Sequence, residues 1–448
     1  MVGDHARYLD LSRKALEIYR IRAEIDPASI KARSDLARGY WHIANGSAVL
    51  GDLVAAIDHY GKAAKIYTDL SVADPSNPQH RRNAALTYKY LATLVQKNGD
   101  IQRALELDRQ AIALDKLRVA SDPYDTQAKL DLSFSYGEDG SNRVMAGDTS
   151  GALVSYQQAL DLRLSVASAD PKNALAQDAV ARAYESIGVV LMLNGKPTDA
   201  LKYFQRVQSL AAANPKNALM QARAVMLRAR MGNAMVETGR VEEGRRVLEQ
   251  ALVEAVALVK SSDDTKNRSY QAHANQAQIE MWTGEALERT GNSSGALQHY
   301  SRARQLYSDI GVNALAASIH LGRAYLKTRN LTKAGEEYHK ALSIADSMIS
   351  SKPANVEVLY ALADTYAGLG DLSAMLARKA ASAKERFTQW SEARHWYEKS
   401  LNAWQRIPNP GRISNTGFEA SDPRQIARRL AQCSAELLRL PRQDSDLP

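Results

Sequence analysis

Gly51-Asp52, then Ala56, Tyr60 and Ala63, then Asp74-Pro75, is the stretch whose reading decides the fold, because the chain writes it again and again. The opening pair returns as Gly99-Asp100 and Gly147-Asp148 and, with Lys for Asp, as Gly195-Lys196, each 48 residues after the last. Asp-Pro keeps the same step at Asp26-Pro27, Asp74-Pro75, Asp122-Pro123 and Asp170-Pro171, then appears as Asn214-Pro215 after a shorter interval. Tyr40, Tyr88, Tyr136 and Tyr184 share one position of the period. A fixed internal step of this size is the mark of a repeat architecture.

One unit has a readable grammar. Two residues behind each Pro stands Ser29, Asn77, Asp125 or Asn173, side chains that accept a hydrogen bond from the free amides at a helix start. A first helix, A, follows with Leu36, Tyr40, Ile43, Ala44, Ser47 and Leu50 on one stripe, the spacing of an amphipathic helix. Gly51 supplies the left-handed conformation that ends a helix, and Asp52 caps the next one. Helix B carries Ala56, Tyr60, Ala63, Ile66, Tyr67 and Leu70. So short a turn makes the two helices antiparallel. Ala at 56, 104, 152 and 200 marks where the axes approach closely enough to forbid a bulky side chain. The column four residues later reads Tyr60, Asp108, Tyr156, Phe204, broken only at Asp108.

These residues resemble the tetratricopeptide repeat (TPR) family, helix-turn-helix units with Leu-Gly then Tyr in the first helix, Gly in the turn, and Ala, aromatic, Ala in the second. Leu321, Gly322, Tyr325, Ala334, Tyr338 and Ala341 carry the resemblance most clearly. Usual units have about 34 residues, so a 48-residue step adds nearly two turns to each helix. The resemblance implies an all-α, right-handed superhelical solenoid of antiparallel helix pairs.

Taken in order, residues 1–27 read as the second helix of a truncated first repeat, since Gly3-Asp4 sits one period before Gly51-Asp52 and Tyr8 and Ala15 fall where a helix B belongs. A fragment of a longer protein and a native terminus with an unusual cap both fit that start. Residues 28–264 read as repeats one to five, with a weak point at Ser135 to Gly140, where Gly137 and Gly140 interrupt. In the fifth, Gly239 holds the turn and Gly244 and Leu248 replace Ala and Tyr; the polar Ser261 to Lys266 run is the expected break between subarrays. Residues 265–407 read as repeats six to eight. The last has an extended first helix, continued through 371–387, and a second helix from Trp390 to Ile407. Residues 408–448 read as a loop after Pro408-Asn409-Pro410-Gly411 and a capping helix from Asp422-Pro423, with Ile426, Leu430, Cys433 and Leu437 on one face.

At 448 residues the chain exceeds one globular core, a ceiling that an array escapes by burying each unit on the next. No stretch has the roughly 18 apolar residues of a membrane span, and no signal peptide is visible. Compartment is therefore unassigned: cytoplasmic by default, extracytoplasmic if a longer parent has an upstream span. One cysteine, Cys433, excludes an internal disulfide and sits in an apolar stripe. The net charge of +8 and pI near 9.3 admit a polyanion partner. Arg223, Arg228, Arg230, Arg240, Arg245 and Arg246 crowd the fifth repeat. These bases lie among acids and lack interleaved stacking aromatics, so a solvated face is the simpler reading.

Catalytic patterns fail one by one. Gly291-Asn292-Ser293-Ser294-Gly295 fits Gly-x-Ser-x-Gly but falls on a helix turn, without the strand that elbow needs. Gly239 to Gly244 has phosphate-loop spacing but continues Arg245-Arg246. The nine His give no pair at helical ligand spacing. The expectation is no catalytic residue, no cofactor and no metal.

The remaining role is binding of a peptide or partner protein on the concave wall formed by the A helices. By position that wall includes Arg38, Trp41 and Asn45, then Lys89 and Thr93, then Ser141 and Met145, then Arg182, Glu185 and Val189. Trp41 fits ligand contact and packing between units equally. The TPR clamp for a C-terminal carboxylate pairs Lys with Asn four residues on; here Trp41 precedes Asn45 and Lys89 precedes Thr93, which disfavours chaperone-tail binding. The phrases at 147–160 and 396–411 are similar to the C-terminal regions of bacterial serine/threonine protein kinases, which implies the interaction or sensor half of a signalling protein with catalysis elsewhere. The alternative is a basic helical-repeat array that binds RNA or another polyanion. Oligomeric state is left open.

Overall fold

The computed structural model describes residues 2–214, 218–261, 266–310, 314–351, 356–407 and 423–440, and every regular element among them is helical. They form two compact units, 1–183 and 184–448. The first contains α1 (Val2–Ile25), α2 (Ile30–Val49), α3 (Leu53–Ala73), α4 (Pro78–Lys97), α5 (Ile101–Ser121), α6 (Thr126–Met145), α7 (Thr149–Ala169) and the first half of α8 (Ala174–Leu193). From α2 to α7, A helices of 20 residues alternate with B helices of 21, each about 30 Å long. From α1 to α7 each helix packs on the next in sequence, which makes the unit a solenoid of antiparallel pairs.

The helix ends follow the repeated residues. Ser29 accepts from the Ala32 amide, Asn77 from Gln79 and Asp125 from Ala128. At the turns Gly51, Gly99 and Gly147 have φ of +85°, +94° and +80°. The amides of Asp52, Asp100 and Asp148 reach back to the carbonyls of Ser47, Val95 and Arg143 at 2.9, 3.1 and 2.8 Å, closing the helix C-termini as a Schellman motif does. Each of these Asp side chains then caps the next helix.

The second unit continues with α9 (Pro197–Ala213), α10 (Ala218–Glu237), α11 (Val241–Ser261), α12 (Lys266–Arg289), α13 (Ser293–Asp309), α14 (Leu315–Lys327), α15 (Leu331–Ser351), α16 (Val356–Lys379), α17 (Ala383–Gln405) and α18 (Pro423–Arg439). Gly195, Gly239 and Gly291 make the same turn, and Arg329 makes it at φ +59° without a glycine. On α18, Ile426 and Cys433 are buried and Leu430 and Leu437 half-buried against α17 and α16. Asn214-Pro215 beyond Asn214, the 262–265 part of the polar run, and the 408–422 loop lie outside the described residues.

In several pairs a ring on helix B lies on a glycine of helix A sixteen positions earlier. A Cβ built on Gly140 would fall 2.7 Å from Tyr156, on Gly284 2.5 Å from Tyr300, and on Gly322 2.8 Å from Tyr338. Gly188 is covered in the same way by Phe204. In the fifth repeat Leu248 replaces the ring, and Gly232 and Gly244 face each other so closely that a Cβ on Gly244 would fall 2.5 Å from the Gly232 carbonyl oxygen.

Three expectations need correction. Helix α6 runs unbroken through Gly137 and Gly140; Gly140 makes room for the Tyr156 ring, so it is a packing feature rather than an interruption. In the eighth repeat α16 ends at Lys379, not at 387, and α17 begins at Ala383, not at Trp390, behind a Ser382–Glu385 capping box. Gly370 is mid-helix and lies under the Tyr397 ring, 2.5 Å from a built Cβ. At the start, Gly3-Asp4 lies inside the first turn of α1 rather than ahead of it.

Gly322→Val is expected to lower stability by about 1–3 kcal/mol through overpacking against Tyr338. Gly61→Ala, on α3 with nothing within 4 Å of the new Cβ, is expected to raise it by about 0.5–1 kcal/mol. Urea denaturation measures both, and equal shifts would contradict the packing described.

Candidate functional site

In the first unit, residues four apart on an A helix share a side, and residues one period apart occupy equivalent places. Arg38, Leu86, Phe134 and Arg182 therefore form one row, and His42, Tyr90 and Glu138 the next. Leu86, Tyr90 and Phe134 are 40%, 42% and 39% exposed, and the period brings the three together in these adjoining rows. The stack from Tyr60 to Tyr90 (centroids 5.8 Å apart, planes within 9°) leads from the buried core to this surface, and Trp41 meets both rings edge-on at 6.2 and 5.8 Å. Ring geometry of this kind holds an aromatic surface rigid.

Beneath the rows runs a buried ion network. Asp115, fully buried, accepts from Lys89 Nζ at 3.0 Å, Arg118 at 3.1 Å and Ser135 Oγ at 2.8 Å. Asp131 accepts from Arg118 at 2.7 Å, Arg82 at 2.9 Å and Gln127 at 2.8 Å. Burial pushes the Asp131 carboxyl up, and the bonds from Arg118, Gln127 and Arg82 outweigh it and hold it below the usual carboxylate range. Nearby, Arg163 is buried with its donors on Ser133 Oγ, Ser133 O and Ala179 O. Its guanidinium and that of Arg182 lie 5.4 and 5.7 Å from the Phe134 centroid. Burial and the Arg182 charge pull the Arg163 pKa down to about 10. Glu138 is exposed yet raised above the ordinary value by desolvation, with Lys89 and Arg163 pulling the other way.

The sequence-derived wall residues divide accordingly. Arg38 is exposed, bonded to Asp35 at 2.6 Å and set over the Tyr19 ring; Trp41 and Asn45 are half-buried beside it. Lys89 turns inward: its side chain is 12% exposed and also donates to the Asp131 carbonyl at 3.1 Å. Thr93 bonds back to the Lys89 carbonyl at 3.0 Å. Arg182 pairs with Asp178 at 3.2 Å. Glu185 belongs to the second unit, where Arg230 and Arg223 approach it at 3.1 and 3.4 Å. Leu86, Tyr90, Phe134 and Glu138 were missed. The period places them in rows with Arg38 and His42, next to the column that runs from Trp41 to Lys89.

Most of the arginines that crowd the fifth repeat meet a carboxylate. Arg228 pairs with Glu254, Arg240 with Glu243, Arg245 with Glu242 and Glu249, and Arg223 and Arg230 with Glu185. Among the described residues, no group of three or more His, Cys, Asp or Glu could hold a metal ion, and no helix is long and apolar enough to cross a membrane.

Family models described as tetratricopeptide repeat match residues 140–218 and 315–347, so the chain carries TPR units. No curated protein matches the sequence. Solved structures with a similar fold include a tetratricopeptide repeat protein from Parabacteroides merdae, 15% identical, with 68% of this chain and 92% of that one covered and a TM-score of 0.41. A Rap protein complexed with competence and sporulation factor is 11% identical over 88% and 98% of the two chains, with a TM-score of 0.47. Pseudomonas aeruginosa pilF is 16% identical over 62% and 94%, with a TM-score of 0.36. The TPR fold generally mediates protein–protein interaction.

Because Lys89 neutralises a buried carboxylate, Lys89→Ala is expected to cost about 3 kcal/mol of stability, as breaking a buried pair does. Chemical denaturation checks this; unchanged stability with impaired ligand binding would return Lys89 to the surface role that its position suggested.

Proposed function

We propose that this chain is a non-catalytic interaction scaffold that holds a peptide or partner protein along the A-helix face of its first unit. The observation that carries the reading is that Leu86, Tyr90 and Phe134, in two adjoining rows beside Trp41, leave about two-fifths of their surface exposed together on one face. Arg38, Trp41, Asn45 and Thr93 flank that strip and are the nearest further contacts, with Arg182 at its end; Lys89 acts beneath the surface by holding α4 on α6. Glu185 serves the second unit through its arginine pairs. Rigid aromatic anchors of this type contribute much of the affinity at interfaces.

The phrases at 147–160 and 396–411 support placing the scaffold as the regulatory or sensor region of a larger signalling protein such as a bacterial serine/threonine kinase. The pairing of the fifth-repeat arginines with glutamates speaks against a polyanion ligand there.

Selection of phage-displayed linear random peptides on the full chain tests the reading. Selected peptides are expected to lose about tenfold or more in affinity on Leu86→Ser/Phe134→Ser and to bind Val54→Ser, changed on the exposed side of α3, as well as the wild type. Equal binding to all three proteins, or failure to select any peptide, would contradict it.

A further inference from the structure

Glu138 stands apart from the other charges of the A-helix face. Arg38, Arg82, Lys89, Arg163 and Arg182 are each committed to a carboxylate or to fixed oxygens. Glu138 forms no hydrogen bond or ion pair with any described residue. Its surroundings are apolar on two sides: Phe134 lies one helical turn before it on α6, and Tyr90 and Leu86 occupy the equivalent places on α4. The two helices are tied together at both ends of this patch, by Lys89 to the Asp131 carbonyl and by Gln96 to Asn142 at 2.7 Å.

A carboxylate in such a setting favours one kind of visitor. An anion would be repelled by it, and a neutral group would cover it and leave its charge desolvated, which is costly. A lysine or arginine side chain does neither: its head meets the carboxylate and the ring faces, and its methylene stem lies on apolar surface. Lys89 and Arg163 cannot supply that head themselves, because their donors are taken by Asp115 and the Asp131 carbonyl, and by Ser133 and the Ala179 carbonyl.

We infer that Glu138 is the specificity residue of this face, receiving the cationic side chain of an extended basic peptide segment whose apolar groups lie on Leu86, Tyr90 and Phe134. The inference rests on the interaction reading above and adds the chemistry of the partner.

The peptides selected on the wild-type chain test it, measured by fluorescence anisotropy against wild type, Glu138→Gln and Glu138→Lys, with melting temperatures as the folding control. The expected result is a Lys or Arg in the selected peptides whose replacement by Ala weakens binding about tenfold or more on wild type and changes nothing on Glu138→Gln. On Glu138→Lys the same peptides are expected to fail, and versions carrying Glu in place of the base to recover. Loss of equal size on wild type and Glu138→Gln would overturn the inference. Peptides without a base that still require Leu86 and Phe134 would overturn it and leave the interaction reading intact; failure to select any peptide would overturn both.

Discussion

The fold depends on a ring that lies flat where a neighbouring backbone has no Cβ to oppose it. At Gly140, Gly188, Gly284, Gly322 and Gly370 a methyl group would collide with the aromatic side chain of the paired helix, and Tyr338 is held between two such glycines, Gly322 and Gly368. Glycine inside a helix costs about 0.5–1 kcal/mol of local stability relative to Ala. That cost is offset by burying a whole aromatic side chain, Tyr300, Tyr338 and Tyr397 all being within 2% of complete burial. The helices come close, and the flanking Ala56, Ala104, Ala152 and Ala200 can then sit fully buried at the contact.

Where the ring is missing the interior becomes polar. Asp108 replaces it in the second repeat and is completely buried, with Asn142 Nδ2 at 2.6 Å as its donor and Gln96 bonded to the other end of that amide. Burial pushes the Asp108 carboxyl from 3.8 up to about 7, against the pull of the Asn142 bond. The fold therefore binds this proton more tightly than the open chain, and the group's contribution to stability falls as pH rises between those two values. The Asp115–Asp131 network lies in the same pair of repeats. Such polar interiors fix register at the expense of stability, and here they hold α4 and α6 in the register that aligns the exposed rows.

Much of this is legible in the residues. Turn glycines, Asp and Asn caps, and the Ala-Tyr-Ala spacing are local signals, each with its own physical cause, and from α2 to α7 the helices begin and end where they say. Gly140 reads as an interruption because propensity sees a glycine only as a helix breaker; the partner ring that explains it is sixteen residues away at Tyr156. Arg329 shows the converse, a turn made without the expected glycine. Lys89 illustrates the harder limit: its column placed it on the surface, and only the positions of Asp115 and Asp131 reveal that it points inward. Surface rows follow from the period, but which members of a row remain free depends on contacts between repeats.

The ring-on-glycine contact is tested most directly by a double-mutant cycle at Gly284 and Tyr300, with stability read by urea denaturation of the full chain. Gly284→Ala is predicted to destabilise strongly beside Tyr300 and hardly at all beside Tyr300→Ala, giving a coupling of about 1–3 kcal/mol. Additive effects, with Gly284→Ala costing the same in both backgrounds, would contradict the account of how these helices pair.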